Sequence, residues 1–139
     1  MSEANKQLVQ RWFEEVWNQK SESAIDAMFS SEGESHGFPQ EDSVLVGPED
    51  FKTIHRSFRG AFPDLHITVE DAIAEGDKVA VRWTVTATHR GDHLGFAATG
   101  KGIGMNGSSI VVIKDGKIHD AWNFMDMGGL FARLREPSA

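Results

Sequence analysis

The chain has 139 residues, of which 40% are hydrophobic and 25% charged, and its formal net charge is −7. This length and composition are typical of one globular domain spanning residues 1–139. The absence of Cys excludes disulfides, thiolate metal sites and a Cys nucleophile, and the absence of Tyr excludes mechanisms that need a phenol. Because the chain is acidic and its basic residues are scattered, binding to nucleic acid or to an anionic membrane is disfavoured.

The start of the chain predicts a cytoplasmic protein. Residues 1–6 lack the apolar core of a signal peptide, and no apolar run approaches the ~18 residues of a membrane span. We therefore expect no membrane partner.

The first part of the chain has a helical pattern. Apolar residues recur at helical spacing over residues 8–17, which predicts a first helix. Ser21 or Ser23 can cap a short second helix. A third helix begins at Pro48, where proline loses no hydrogen bond, and ends before Pro63, because the residue before a proline avoids helical angles.

From residue 65 onward the apolar pattern alternates with a period of two, which is typical of strands. The predicted strands cover residues 65–70, 79–89, 103–113 and 117–124. Asp115–Gly116 is a strong signal for a two-residue hairpin, and a short helix follows the last strand. This order predicts an α+β fold, in which three N-terminal helices and a short C-terminal helix pack on a cone-shaped, curved antiparallel sheet and enclose a pocket.

Eight short segments, spread over nearly the whole chain, carry a resemblance to a known family. They are Arg11–Asn18, Gly47–Glu49, Ala61–Leu65, Val79–Thr84, Thr88–Gly91, Ala98–Lys101 (with Ala98 where proline is usual), Asp115–Ile118, and Trp122-x-x-x-Asp126. Together they resemble the SnoaL-like polyketide cyclase family, within the nuclear transport factor 2-like superfamily. The resemblance implies a cone-shaped fold and a cofactor-independent activity, but not one particular reaction, since this fold hosts several.

Asp126 is the first candidate for catalysis, because the resemblance implies that the acid closing the Trp-x-x-x-Asp motif is the general acid/base. Desolvation in an apolar pocket would make this carboxylate a stronger base toward a C–H group next to a carbonyl. Asp126 also begins the last helix, where Asp is a preferred N-cap, so both interpretations stay open. Characterised cyclases of the family pair this Asp with a His on the neighbouring strand, and residues 108–113 contain no His.

Four further polar or aromatic residues are candidates for the same site. Trp122 could pack on a flat substrate or belong to the core, and Asp120 could face inward or be solvated at the sheet edge. Arg82 is either a pocket guanidinium that stabilises an enolate or part of a solvated strand face. His36 matches a cavity-facing position of the family's short strand after the second helix, or it is a surface histidine.

The remaining candidates are apolar or lie on the third helix. Phe38, His55 and Phe58 are expected to line the substrate pocket. His89 and His93 are four residues apart, but they lie in a Gly-rich loop rather than on a helix, so we predict no metal site.

These residues together predict a cofactor-independent, cyclase-like enzyme that acts on a small hydrophobic molecule containing carbonyl groups. Asp126 would remove a proton next to a carbonyl, Arg82 or His36 would stabilise the enolate, and the enolate would close onto a second carbonyl of a polyketide-like substrate by an intramolecular aldol step. The alternatives are another isomerase or hydrolase of the same fold, or a non-catalytic, dimeric ligand-binding module.

The sequence also predicts a homodimer that packs through its sheets. Val81, Trp83 and Val85, together with Ile110 and Val112, offer more apolar sheet surface than the helices need to cover.

Overall fold

The structure, a computed structural model, describes residues 2–136, and within them it contains four α-helices and one six-stranded sheet. The helices are α1 (Ser2–Trp12), α2 (Glu22–Met28), α3 (Gly47–Ala61) and α4 (Met127–Arg135). The strands are β1 (Phe29–His36), β2 (Val44–Val46), β3 (His66–Glu75), β4 (Lys78–Thr88), β5 (Gly102–Lys114) and β6 (Lys117–Met125). The α+β fold predicted from the sequence is confirmed.

The N-terminal helices form where the apolar spacing and the caps predict them. Helix α1 continues directly into a π-helical segment, Phe13–Asn18, so the predicted apolar stripe is one continuous buried side. Ser21 is the N-cap of α2, and its Oγ accepts a hydrogen bond from the backbone N–H of Ala24 at 3.2 Å. Pro48 lies in the first turn of α3, which ends two residues before Pro63.

The sheet has the strand order β2-β1-β6-β5-β4-β3. Strands β3 to β6 form the predicted antiparallel meander, and Asp115 and Gly116 both have positive φ, as a tight hairpin between β5 and β6 requires. Strand β1 pairs with β6 in parallel and with β2 in antiparallel orientation. The period-two pattern did not predict these two strands, because β1 is largely polar and β2 has only three residues.

The helices cover one face of the curved sheet, which we call the inner face, and leave the opposite, outer face exposed. Along β4, Val81, Trp83 and Val85 are buried on the inner face, whereas Arg82 is exposed on the outer face. Ile110 is also exposed, because it pairs with Ala80 rather than with the inward residues. The prediction that these residues form one apolar face for a dimer is therefore wrong, since they are divided between the inner and the outer face of the sheet.

No helix within residues 2–136 is both long and apolar enough to cross a membrane.

Candidate functional site

A cavity of about 90 Å³ lies between the helices and the inner face of the sheet. Most of its lining is aromatic or aliphatic; the aromatic part includes Trp12, Phe13, Trp17, Phe38, Phe58 and Trp83. Among the described lining residues, the only side chains with an amide or a hydroxyl are Ser35, Ser109 and Asn123. An apolar lining with a few polar groups is the usual composition of a small-molecule site, but about 90 Å³ is smaller than the roughly 300 Å³ at which typical ligand pockets begin.

The polar groups of the cavity form one chain of hydrogen bonds across four neighbouring strands. Trp83 Nε1 on β4 donates to Ser109 Oγ on β5 at 3.3 Å, and Ser109 Oγ donates to Asn123 Oδ1 on β6 at 2.8 Å. Asn123 Nδ2 then donates to Ser35 Oγ on β1 at 2.9 Å. We call these four residues the polar chain.

The direction of the polar chain follows from its two ends. The indole N–H of Trp83 can only donate, so the proton of Ser109 is free to be given to Asn123. Asn123 Nδ2 also donates to the backbone carbonyl of His36 at 2.9 Å. If the side-chain amide of Asn123 were flipped, its oxygen would face that carbonyl oxygen, and two acceptors would repel each other. All the donors therefore point toward Ser35, whose own O–H has no acceptor among residues 2–136 and is available to a ligand.

Gly107 makes the Trp83 end of the polar chain possible. The two residues are register partners on β5 and β4, and a Cβ added at Gly107 would lie 2.3 Å from the indole ring. The missing side chain lets the indole lie over β5 and reach Ser109.

Phe38 and Phe58 lie in the cavity lining, one from the loop after β1 and one from α3. Their rings are tilted against each other with centroids 4.9 Å apart. Their contact with a substrate stays a prediction.

The carboxylate of Asp126 does not face the cavity, which differs from the expectation that it lies in a dry pocket. It is exposed, and its Oδ1 accepts a hydrogen bond from the backbone N–H of Gly129 at 2.9 Å as the N-cap of α4. Met125 and Met127 on either side of it line the cavity, whereas Asp126 itself does not. The physical reason is that the unpaired N–H groups of the first helical turn draw the carboxylate away from the cavity.

Trp122, Arg82 and Asp120 also lie outside the cavity lining. Asn123 faces inward on β6, so its neighbour Trp122 projects from the outer face. On β4, Arg82 Nε donates to Asp71 Oδ2 at 2.8 Å in an exposed ion pair. Asp120 Oδ2 lies 3.0 Å from a histidine, His119.

His36 is likewise on the outer face, because Ser35 before it on β1 faces the cavity. Its ring is stacked on that of Trp122, with centroids 5.4 Å apart and planes 7° apart. The structure therefore does not bring His36, Arg82 and Asp126 together around the cavity.

His55 is fully buried on α3, but it lies behind the cavity wall. Its Nε2 is 2.7 Å from the carbonyl oxygen of Val16, so the neutral ring donates its proton there and fastens the π-helical segment to α3. Burial lowers the pKa of His55. The ring also packs against Trp17, which does line the cavity, with centroids 4.9 Å apart.

The polar residues of the cavity, Ser35, Ser109 and Asn123, were not predicted from the sequence. Serine and asparagine carry no distinctive motif, and these three come from strands that are distant in sequence. The one available signal was Ser109, a polar residue that precedes the apolar end of β5.

The fold and the cavity together define a class of protein: an α+β domain whose curved sheet and helices enclose an apolar cavity. The family model described as SnoaL-like polyketide cyclase matches residues 7–134. The chain therefore belongs to the SnoaL-like polyketide cyclase family. No curated protein matches it.

Solved structures agree with this assignment. A provisionally assigned SnoaL-like polyketide cyclase from Jannaschia sp. CCS1 has a TM-score of 0.88 at 21% identity, over 99% of this chain and 95% of that one, and so supports the fold alone. AclR from Streptomyces galilaeus, provisionally a hydroxylase, is 30% identical over 100% of this chain and 86% of that one, with a TM-score of 0.83. A provisionally assigned polyketide cyclase from Acidithiobacillus ferrooxidans is 27% identical over 97% and 96%, with a TM-score of 0.79.

Proposed function

We propose that the cavity binds a small, largely apolar molecule that carries a carbonyl group, and that Ser35 donates a hydrogen bond to the carbonyl oxygen. The observation that carries this proposal is the polar chain, which ends in an O–H group without an acceptor among residues 2–136, inside a largely apolar cavity. An apolar ligand is favoured by the aromatic lining, and its oxygen is favoured at Ser35, whose hydroxyl proton is unused by the described residues.

Three features of the polar chain support a role beyond simple packing. Each donor polarises the next, so the Ser35 hydroxyl is a better donor than an isolated serine. Ser35 and Ser109 are almost completely buried, which strengthens a hydrogen bond to a ligand by excluding water. The donors are also held in place by four paired strands, so binding needs little reorganisation.

Binding can be tested with acetophenone, a small aromatic ketone, and with ethylbenzene, which has the same shape but no oxygen. Quenching of tryptophan fluorescence reports on the cavity, because Trp12, Trp17 and Trp83 line it. We expect Ser35→Ala to weaken ketone binding by roughly 2- to 12-fold and to leave ethylbenzene binding unchanged, since one hydrogen bond contributes about 0.5–1.5 kcal/mol.

The matched control is Ser31→Ala, an exposed serine on the same strand, which should bind both probes like the wild type. Equal loss of both probes in Ser35→Ala, or no binding of either probe to the wild type, would refute the proposed oxygen site.

The family suggests a second candidate function, the cofactor-independent cyclisation of a polyketide-like substrate. In this reaction Asp126 takes a proton from the carbon next to a carbonyl, the resulting enolate carbon bonds to a second carbonyl carbon, and the new alkoxide takes the proton back. Ser35 would stabilise the enolate oxygen, a role for which the sequence predicted Arg82 or His36. The match to the cyclase family model favours this reaction, while the capping hydrogen bond of Asp126 would have to open for it.

Two variants distinguish a role of Asp126 as a catalytic base from its role as a helix cap. Asp126→Asn keeps a good capping side chain but cannot accept a proton as a base, whereas Asp126→Ala loses both functions. With a cyclisable diketone, a catalytic base predicts that both variants lose turnover, typically by 10²–10⁴-fold. If Asp126→Asn turns over like the wild type, the carboxylate is not the base, and a pocket that binds ligand without Asp126 chemistry is the remaining function.

A further inference from the structure

Three side chains with metal-binding atoms converge on the outer face, where β1 lies beside β6. Ligand atoms of Glu34, His36 and Asp120 all lie within 4.8 Å of one another, and each of these residues is half-buried. His36 Nε2 is 3.6 Å from Glu34 Oε1. A second histidine, His119, contacts one of these carboxylates, because its Nδ1 is 3.0 Å from Asp120 Oδ2.

The strand pairing brings these residues together. Glu34 on β1 and Asp120 on β6 are register partners in the parallel pair. Strand β6 contains a bulge, since Asp120 and Ile118 pair with consecutive residues of β5 and leave His119 as the extra residue. The bulge interrupts the normal alternation, so His119 and Asp120 are both half-buried between the inward-facing Ile118 and Ala121. Bulges commonly re-aim a side chain in this way next to functional sites.

The surroundings hold His36 in an orientation suited to binding a ligand. Its ring is stacked almost parallel to the indole of Trp122. This contact restrains the imidazole plane while Nε2 points toward Glu34.

Two like charges lie side by side at this place. Glu34 and Asp120 are directly opposite each other on neighbouring strands, an arrangement that is unfavourable for like charges. Within residues 2–136 neither carboxylate forms an ion pair with Lys or Arg. A divalent cation would neutralise both charges and use His36 as a neutral ligand.

We propose that Glu34, His36 and Asp120 bind a divalent transition metal such as Zn²⁺, with His119 as the hydrogen-bonding partner that orients Asp120. An imidazole with two carboxylates favours zinc or a neighbouring transition metal over Mg²⁺ or Ca²⁺, which prefer oxygen ligands. Ligand atoms at about 2.1 Å from a tetrahedral zinc lie about 3.4 Å apart, and those of the three residues now lie within 4.8 Å of one another, so modest side-chain rotations bring them to that separation. The metal would fasten β1 to β6 at the one parallel pair of the sheet.

The site is separate from the proposed ligand cavity. The three ligand residues are absent from the cavity lining and lie on the opposite face of the sheet. Metal binding can therefore succeed or fail independently of binding to a ketone.

The test uses the full chain without a polyhistidine tag, titrated with Co²⁺ and followed by visible absorption, and titrated with Zn²⁺ in a calorimeter. We expect one metal ion per chain, and we expect His36→Ala and His119→Ala each to weaken binding by more than about tenfold. His66→Ala and His93→Ala, at exposed histidines outside the cluster, are the matched controls and should bind like the wild type.

A second measurement, the change in Tm on adding metal, tests the proposal even if a variant folds poorly. Zn²⁺ should raise the Tm of the wild type, because a ligand that binds only the folded state stabilises it, and a chelator should reverse the effect. Glu34→Gln keeps the size of the side chain and should abolish the shift. No metal binding by the wild type, or unchanged binding in both His36→Ala and His119→Ala, would overturn the proposal.

Discussion

Ser109 and Asn123 are register partners on β5 and β6, and the Ser109 hydroxyl donates a 2.8 Å hydrogen bond to Asn123 Oδ1 inside the cavity. This bond is the centre of the polar chain, because it joins the indole of Trp83 on one side to Ser35 on the other. Four strands are thereby connected through side chains in addition to their backbone hydrogen bonds. Under the proposed function, stability and ligand binding therefore depend on the same residues.

The first prediction concerns this bond. Ser109→Ala leaves the Trp83 N–H without its acceptor and Asn123 Oδ1 without its donor, which should lower the free energy of unfolding by about 1–3 kcal/mol. Urea unfolding measures the change. The neighbouring Ser108 is exposed on the outer face, and Ser108→Ala should stay within about 0.5 kcal/mol of the wild type. Similar stabilities of the two variants would contradict the role of the polar chain.

The second prediction concerns the glycine beneath Trp83. Gly107→Ala forces the indole away from β5, because the new methyl group would overlap the ring. Overpacking of this kind should cost about 1–3 kcal/mol of unfolding free energy. It should also shift the tryptophan fluorescence, since the indole loses its hydrogen bond to Ser109.

Gly104 on the same strand provides the control for this substitution. A Cβ at Gly104 would have its nearest neighbour, the carbonyl oxygen of Val85, at 4.0 Å. Gly104→Ala should therefore be neutral or slightly stabilising. An equal effect of the two substitutions would show that contact with Trp83 is not what Gly107 avoids.

The third prediction concerns pH. Hydrogen bonds from Arg56 and Arg59 on α3 hold the pKa of Glu22 on α2 at about 2, below its ordinary value of 4.5. Because the pKa is lower in the folded state than in the unfolded state, the stabilisation is fully present above pH 4.5 and is lost as the pH falls toward 2.

The measurement is urea unfolding of wild type and Glu22→Gln between pH 5 and pH 2. The variant should be less stable than the wild type at pH 5, and the difference should shrink toward pH 2. Glu41→Gln, at an exposed residue without an ion pair among residues 2–136, should follow the wild type at every pH. A difference between wild type and Glu22→Gln that does not change with pH would contradict the assignment.

The fourth prediction is the homodimer, now placed on the outer face. Trp122 and Phe124 project from β6, with 38% and 55% of their surfaces exposed, and Ile110 is the register partner of Trp122. Exposed aromatic side chains in one patch favour an interface with a second copy of the chain. Light scattering at micromolar concentration should give the mass of a dimer.

Phe124→Ser should shift this equilibrium toward the monomer. Ile73→Ser changes an exposed apolar residue on the edge strand β3, three strands away, and should remain dimeric. A monomeric wild type would contradict the prediction.

Much of the architecture could be predicted from the sequence, because local patterns determine it. The spacing over residues 8–17, the cap at Ser21 and the hairpin at Asp115–Gly116 each describe a nearby stretch of chain, and the structure confirms all three. The family resemblance added the overall arrangement, since it combines segments from the whole chain.

The candidate site could not be predicted in the same way. The carboxylate of Asp126 could either face the cavity or cap α4. In the structure it caps α4, because it accepts a hydrogen bond from a free backbone N–H group of that helix. The inward or outward direction of His36 depended on β1, a polar strand without an alternating apolar pattern. Sequence alone therefore determined the family and the elements other than β1 and β2. The tertiary structure decided which side chains meet, because strand pairing and a one-residue bulge set the face on which each of them lies.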